Sequence, residues 1–355
     1  MDQKISVLLA LPLLASPITL PANTPKAASF TVSTEITSSQ RASIRRMKHQ
    51  LAATPALLQK SEQVQALFQY FLNEVELDAQ ISREEQDEKI QEFKTLSRDL
   101  SPEVASVLTP LLLEETRMRV IDILQNAGLE ESEIKACLAD HDEAIQRVQN
   151  MDVETARQML FFVAELKIHR QYVYEFGIAL GAPAKQLLRH DLCKLSAEQF
   201  EGYVRYFRGG RQISDKAAFL AAWEIHQHEE HHYESYREKG YIDHFSDERL
   251  QNNMLEATAD WLAATKQRGG GPLTDRLVNV LPKSKPHPRL IPFLRNGLKA
   301  AHQLYLESTA DSIFKDLPSW NSEVEEVFRK LASSNPNGSF TSSELDRSLS
   351  IFSSI

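Results

Sequence analysis

"SPEVASVLTPLLLEETRMRVIDILQNAG", residues 101–128, decides the fold class. Ser101 stands where a helix N-cap is expected. Pro102 takes the first helical position, where its missing N–H costs nothing, and Glu103 sits just inside the positive helix end. The run closes near Gly128, a residue suited to ending helices. The same pattern recurs on both sides. "SEQVQALFQYFLNEVEL", residues 61–77, places Val64, Leu67, Phe68, Phe71 and Leu72 on one helical face, and "LEESEIKACL" and "DVETARQMLFFVAEL" read as further helix starts. No alternating runs of β-branched residues stand between turn signals, so strands have no support. The expected fold class is all-α.

At 355 residues the chain can bury a sizeable core. Its net charge of −9, with both signs interspersed, argues against a surface built for nucleic acid or an anionic membrane. Cys137 and Cys193 are the only cysteines, too few for a disulfide framework and without zinc-ligand spacing, so buried or free thiols are expected. At the N-terminus the apolar run from Ile5 to Ala15 has signal-peptide length and is too short to span a bilayer. Asp2 beside Lys4 removes a clear positive excess, and no crisp small-x-small cleavage site follows. Cytoplasmic and secreted locations both stay open. Residues 1–44 read as a leader, 45–150 as an N-terminal helical region, 151–312 as a central helical domain and 313–355 as a C-terminal helix-loop-helix.

The central region changes composition: eight of the eleven histidines fall between 169 and 287. His169 lies with Leu166, Tyr172, Val173 and Phe176 at helical spacing, where a core histidine bonded to a carbonyl is the plainer reading. In "LLRHDLCKLS", His190 and Asp191 are neighbours, and Lys194 follows at i+4 and i+3, so that all three suit one side of a helix turn. "AWEIHQHEEHH" supplies His226, His228, His231 and His232 on one expected helix, where 226 and 231 share no face unless the helix ends or bends. A solvated face and a metal site are both open readings of that run. In "MLEATADWLAA", Asp260 stands among apolar residues with Glu256 one turn earlier, and an aspartate so placed needs a partner.

The order His, then His-Asp, then a histidine cluster, then Asp, all on helices, resembles the HD-domain superfamily of metal-dependent phosphohydrolases. More narrowly, "HDLCKLSAEQFEGYVRYF", "AAWEIHQHEEHHYESY" and "MLEATADW" look like a bacterial and viral family described only as a domain of unknown function and placed near that superfamily. The resemblance covers His169 to about Trp261. It implies a first metal set of His169, His190, Asp191 and Asp260, with Asp191 as bridge, and a second ion on His226 and His231 or His232. One or two divalent transition ions, manganese, iron, zinc or nickel, suit such imidazole and carboxylate donors. The implied substrate is a nucleotide or small phosphate ester attacked by metal-activated water. Lys194 then contacts a phosphate oxygen, with Arg189 and Arg170 as weaker candidates. Glu256 either orients a ligand histidine or forms a helix salt bridge. Two other readings remain: a non-catalytic helical metal-binding or interaction protein, and a di-iron oxygenase on the same scaffold.

A second His-Asp pair, His141-Asp142, has no lysine three residues on and no histidine in the preceding helix, and is expected at the surface. "SSNPNGSFTSSEL" resembles an EF-hand loop, with Ser333, Asn335, Asn337, Ser339 and Thr341 at ligand positions, Gly338 at six and Glu344 at twelve. With one carboxylate it implies weak calcium binding at best, and an Asn-Gly turn is the plainer reading.

Overall fold

The computed structural model describes residue 95 and residues 99–148, 151–208, 212–238, 240–267, 273–279, 281–284, 286–307 and 321–334. The leader over 1–44, the helix expected around Val64–Leu72 and most of the EF-hand-like loop lie outside the described residues. Among the described residues every regular element is helical, as expected for an all-α chain. Among the described residues no helix is long and apolar enough to cross a membrane.

The helix read from the opening stretch, α1, runs Pro102–Asn126 and is followed by Gly128 in the left-handed region at φ +66°. Ser101 flanks it in extended conformation, but its side chain makes no cap hydrogen bond, so Pro102 carries the start. Helix α2, Glu131–Arg147, opens with a reciprocal box in which the Glu130 N–H donates to Glu133 Oε2 at 2.9 Å. Helix α3, Val153–Leu180, is capped by Asp152, which accepts from the Thr155 N–H at 2.8 Å, and stops at Gly181 with φ +87°.

α3 is the spine of the fold. It is apolar on nearly every side, a pattern that suits a helix covered all round rather than on one stripe. Its first turns, with Val153, Ala156, Leu160 and Phe161, pack on Val104, Leu108 and Leu112 of α1. Met159, Phe162, Val163 and Leu166 join Val120, Ile123, Ile134 and Ala144 of α1 and α2 in a second core. Val173 and Phe176 enter a third, built from Leu250, Met254 and Leu262 of helix α7 (Asp247–Gln267). Helices α1 and α2 therefore share cores with the central region.

Between α3 and α7 the chain is broken into short pieces: α4 (Ala184–Leu187), a 3-10 turn (Leu192–Leu195), α5 (Phe200–Tyr203) continuing into a π turn (Val204–Arg208), and α6 (Ile213–His226). Helices α8 (Leu273–Asn279), α9 (Leu281–Ser284), α10 (Ile291–Leu306) and α11 (Ser322–Ser334) cover the far side of α7. Val324, Val327, Phe328 and Leu331 of α11 belong to the same core as α7. The broken segment carries His190, His226, His231 and His232, whereas His169 sits on α3 itself.

Candidate metal centre

Asp191 is the only residue other than glycine with positive φ among the described residues, at +61°. That left-handed backbone costs an L-residue about 1 kcal/mol, less for aspartate than for most. The turn holding it is pinned from behind. Arg170, buried on α3, donates from Nε to the His190 carbonyl at 2.6 Å and from a terminal nitrogen to the Leu188 carbonyl. Arg170 is thereby committed to the turn, which corrects its reading as an anion contact. Arg189 points away, with its guanidinium 3.5 Å from Glu133 of α2, and is likewise removed from the site.

His190 and Asp191 do not share a helix turn as the sequence suggested, because the helix ends before them and the left-handed residue redirects the carboxylate. Asp191 then opens the 3-10 turn, in which residues three apart eclipse, so Lys194 Nζ reaches Asp191 Oδ2 at 2.6 Å.

The expected single helix carrying His226, His228, His231 and His232 is also corrected. α6 stops at His226, and the His228 and Glu229 N–H groups donate to carbonyls three residues back, which tightens the chain into a turn. His228 is exposed and takes no part. The turn returns His231 and His232 beside His226, which a continuous helix could not do. His232 Nε2 lies 2.9 Å from His226 Nε2. These three histidines can offer one nitrogen each within 4.8 Å of one another, and His169, His190 and Asp191 can offer two nitrogens and a carboxylate oxygen within the same distance.

Asp191 joins the two groups. Its Oδ2 lies 3.6 Å from His169 Nε2 and 3.5 Å from His190 Nε2, whereas its Oδ1 lies 3.2 Å from His226 Nε2 and 3.9 Å from His231 Nε2. Asp260, from α7, completes the first group with Oδ1 at 3.0 Å from His169 Nε2 and 3.9 Å from His190 Nε2. Four separate elements thus bring His169, His190, Asp191, His226, His231, His232 and Asp260 together.

Glu256 stands behind the histidines. Its Oε1 is 2.8 Å from His190 Nδ1 and 3.6 Å from His231 Nδ1, which leaves Nε2 of both rings turned toward Asp191. Gln186 holds the other oxygen, donating to Glu256 Oε2 at 2.5 Å and to Asn253 Oδ1 at 2.9 Å. Asn253 donates in turn to the Tyr236 hydroxyl at 2.7 Å. Such a layer would fix ring orientation around a bound metal, and of its members only Glu256 was visible in the sequence.

The electrostatics keep Asp191 ionised and three of the histidines neutral, the states that metal ligation needs. Burial, reinforced by Lys194 and His232, holds His226 well below the ordinary imidazole range, and burial with His231 does the same to His232. Burial also lowers His231, to about 4. Burial alone would raise Asp191, but His190, Lys194, His226 and His169 outweigh it and keep it ionised far below the usual carboxylate range. His190 is lowered by burial but raised on balance by Asp191 and Glu256.

His190 Nε2, Asp191 Oδ1 and His231 Nε2 are buried and make no hydrogen bond among the described residues. Buried polar atoms normally have partners, so two orphan nitrogens facing a carboxylate that itself has an orphan oxygen fit a divalent ion as the missing partner. The third grouping that could hold an ion, His190, His231 and Glu256, uses the outer nitrogens and serves better as support.

His141 corrects another expectation: it is not at the surface but fully buried, edge-on to Phe200 at 4.7 Å between ring centroids. Asp142 stays part-exposed beside Arg117 at 3.3 Å, so the pair is split between core and surface. Neither joins the cluster. In the EF-hand-like stretch, Ser333 belongs to the last turn of α11, and Asn335, Asn337, Ser339, Thr341 and Glu344 lie outside the described residues.

Fold and site together define an all-helical protein with a histidine and carboxylate cluster able to hold divalent metal. A family model described as a family of unknown function (DUF5662) matches residues 158–300, which include every residue of that cluster. No curated protein and no solved structure matches the chain.

Proposed function

We propose that this protein is a metal-dependent phosphohydrolase of the HD type, acting on a nucleotide or small phosphate ester. One observation carries the reading: the two oxygens of Asp191 face separate histidine groups, the arrangement expected of a carboxylate shared by two ions. His169, His190 and Asp260 would complete one site, and His226, His231 and His232 the other. Bound ions supply Lewis acidity at a phosphoryl oxygen and a nucleophile from water near neutral pH.

The chain's own groups supply the rest. Lys194 is the cation at the cluster's edge, suited to neutralising charge on a phosphoryl oxygen. Glu256 and Gln186 keep the imidazoles oriented. Cys193 is a poor nucleophile, because burial and the Asp191 charge push its thiol far above its ordinary range.

Elemental analysis of the purified full chain, followed by a panel of phosphate esters with added manganese, tests the reading. One or two transition ions per chain, with turnover that disappears in Asp191→Ala, is the expected result. A metal-free protein that manganese, iron or nickel cannot reconstitute would overturn it. Stoichiometric iron with oxygen consumption on a polyol would favour a di-iron oxygenase instead, and metal without any turnover a structural centre.

A further inference from the structure

Tyr203 ends α5 and lies beside Lys194, whose Nζ is 5.3 Å from the centre of its ring. The ring is held by aromatic neighbours: it stacks with Phe162 at 5.9 Å and Phe207 at 6.1 Å, and meets His226 of the second histidine group edge-on at 5.9 Å. The backbone beneath packs closely on α6, since a Cβ on Gly202 would come 2.4 Å from the Ala218 carbonyl oxygen. Packing of this kind needs only the ring, and phenylalanine would supply it. The hydroxyl is buried and makes no hydrogen bond among the described residues. An unmade bond there is unfavourable, so a group that visits the site is the natural partner. A phenol with its ordinary pKa of about 10 keeps its proton at neutral pH, so the hydroxyl is a donor.

We propose that Tyr203 is a substrate-binding residue whose hydroxyl donates to an oxygen of the phosphoryl group that Lys194 also contacts. The proposal rests on the phosphohydrolase reading and adds a neutral donor to its cation. An ammonium attracts any phosphate oxygen without direction, whereas a phenol on a fixed ring selects one position. Tyr203 would therefore set the orientation of the phosphoryl group relative to the Asp191 carboxylate. The hydroxyl keeps its proton throughout and forms no covalent bond.

Tyr203→Phe in the full, manganese-loaded chain tests this, with inorganic phosphate as the calorimetric probe and a hydrolysed ester for kinetics. Metal content and melting temperature should stay at wild-type values or the latter rise. Phosphate affinity should fall about tenfold or more, as expected for losing a bond to a charged group, with KM rising in step. If wild-type protein binds phosphate and Tyr203→Phe binds it equally well, the assignment to Tyr203 fails while the phosphohydrolase reading stands. If wild-type protein neither binds phosphate nor hydrolyses any ester, both fail together. Loss of metal or a lower melting temperature in Tyr203→Phe would show a structural role and overturn the proposal.

Discussion

Replacing Asp191 by asparagine should both destabilise the metal-free protein and abolish its stabilisation by metal. The carboxylate is buried, 2.6 Å from Lys194, which is itself largely covered. Stripping one charge from such a pair costs about 3–5 kcal/mol when nothing replaces it. Asparagine keeps an acceptor oxygen for the ammonium, tolerates the φ of +61° and carries no charge to desolvate. The net loss should therefore be about 1–3 kcal/mol, the usual worth of a hydrogen bond to a charged group. For a domain of this size each kcal/mol shifts the melting temperature by roughly 2–4 °C, so the metal-free variant should melt roughly 2–12 °C lower. Metal widens the gap. An ion at about 100 times its Kd adds about 2.7 kcal/mol to the native state, so manganese should raise the wild-type melting temperature by roughly 5–10 °C. Asp191→Asn, without the shared carboxylate, should gain little. Scanning calorimetry of chelator-treated proteins, with and without manganese and alongside elemental analysis, reads both effects. A variant that binds as much metal as wild type and gains the same melting shift would refute the shared role of Asp191.

Arg170→Met should remove the clamp on the 188–191 turn, cost about 1–3 kcal/mol through one buried and one part-buried carbonyl left unpaired and lower metal content with it, read by thermal melting and elemental analysis. Glu256→Gln should weaken metal binding about 10–100-fold, measured by competition with a chelator of known affinity, because the variant no longer offers a charged acceptor to His190 Nδ1. His141 predicts a pH dependence away from the cluster. Burial depresses it to about 4 in the fold, while the unfolded chain titrates near 6.5. Between those values the unfolded state binds the extra proton, so stability is intact above pH 6.5 and falls as pH drops toward 4, by about 3 kcal/mol in total. His141→Leu should flatten that part of the urea stability profile relative to wild type, and an unchanged slope would remove His141 as its source.

What could be read from the sequence was whatever is decided within one or two helical turns. Pro102, Gly128 and the start at Asp152 mark helix ends through local backbone chemistry, and the structure places ends at or beside each of them. The ligand candidates were legible because histidine and aspartate carry the chemistry themselves, whatever the backbone does. Their convergence was not, because it depends on where helices fail. An ideal helix spreads His190 from Asp191 by about 100° and His226 from His231 by about 140°, so regular geometry argues against both pairings. The site exists because α4 and α6 stop short and a left-handed residue follows one of them. Tyr203 and His141 show the limit from the other side. Each is a polar side chain in an ordinary helical context, and nothing in its neighbours' identities separates a buried, unbonded hydroxyl from a packing tyrosine, or a core imidazole from a surface one. Both are decided by contacts far along the chain: Phe162 and His226 for Tyr203, Phe200 for His141. The residues that a helical pattern explains least are thus those around which the candidate chemistry gathers, as expected where local rules give way to the demands of a site.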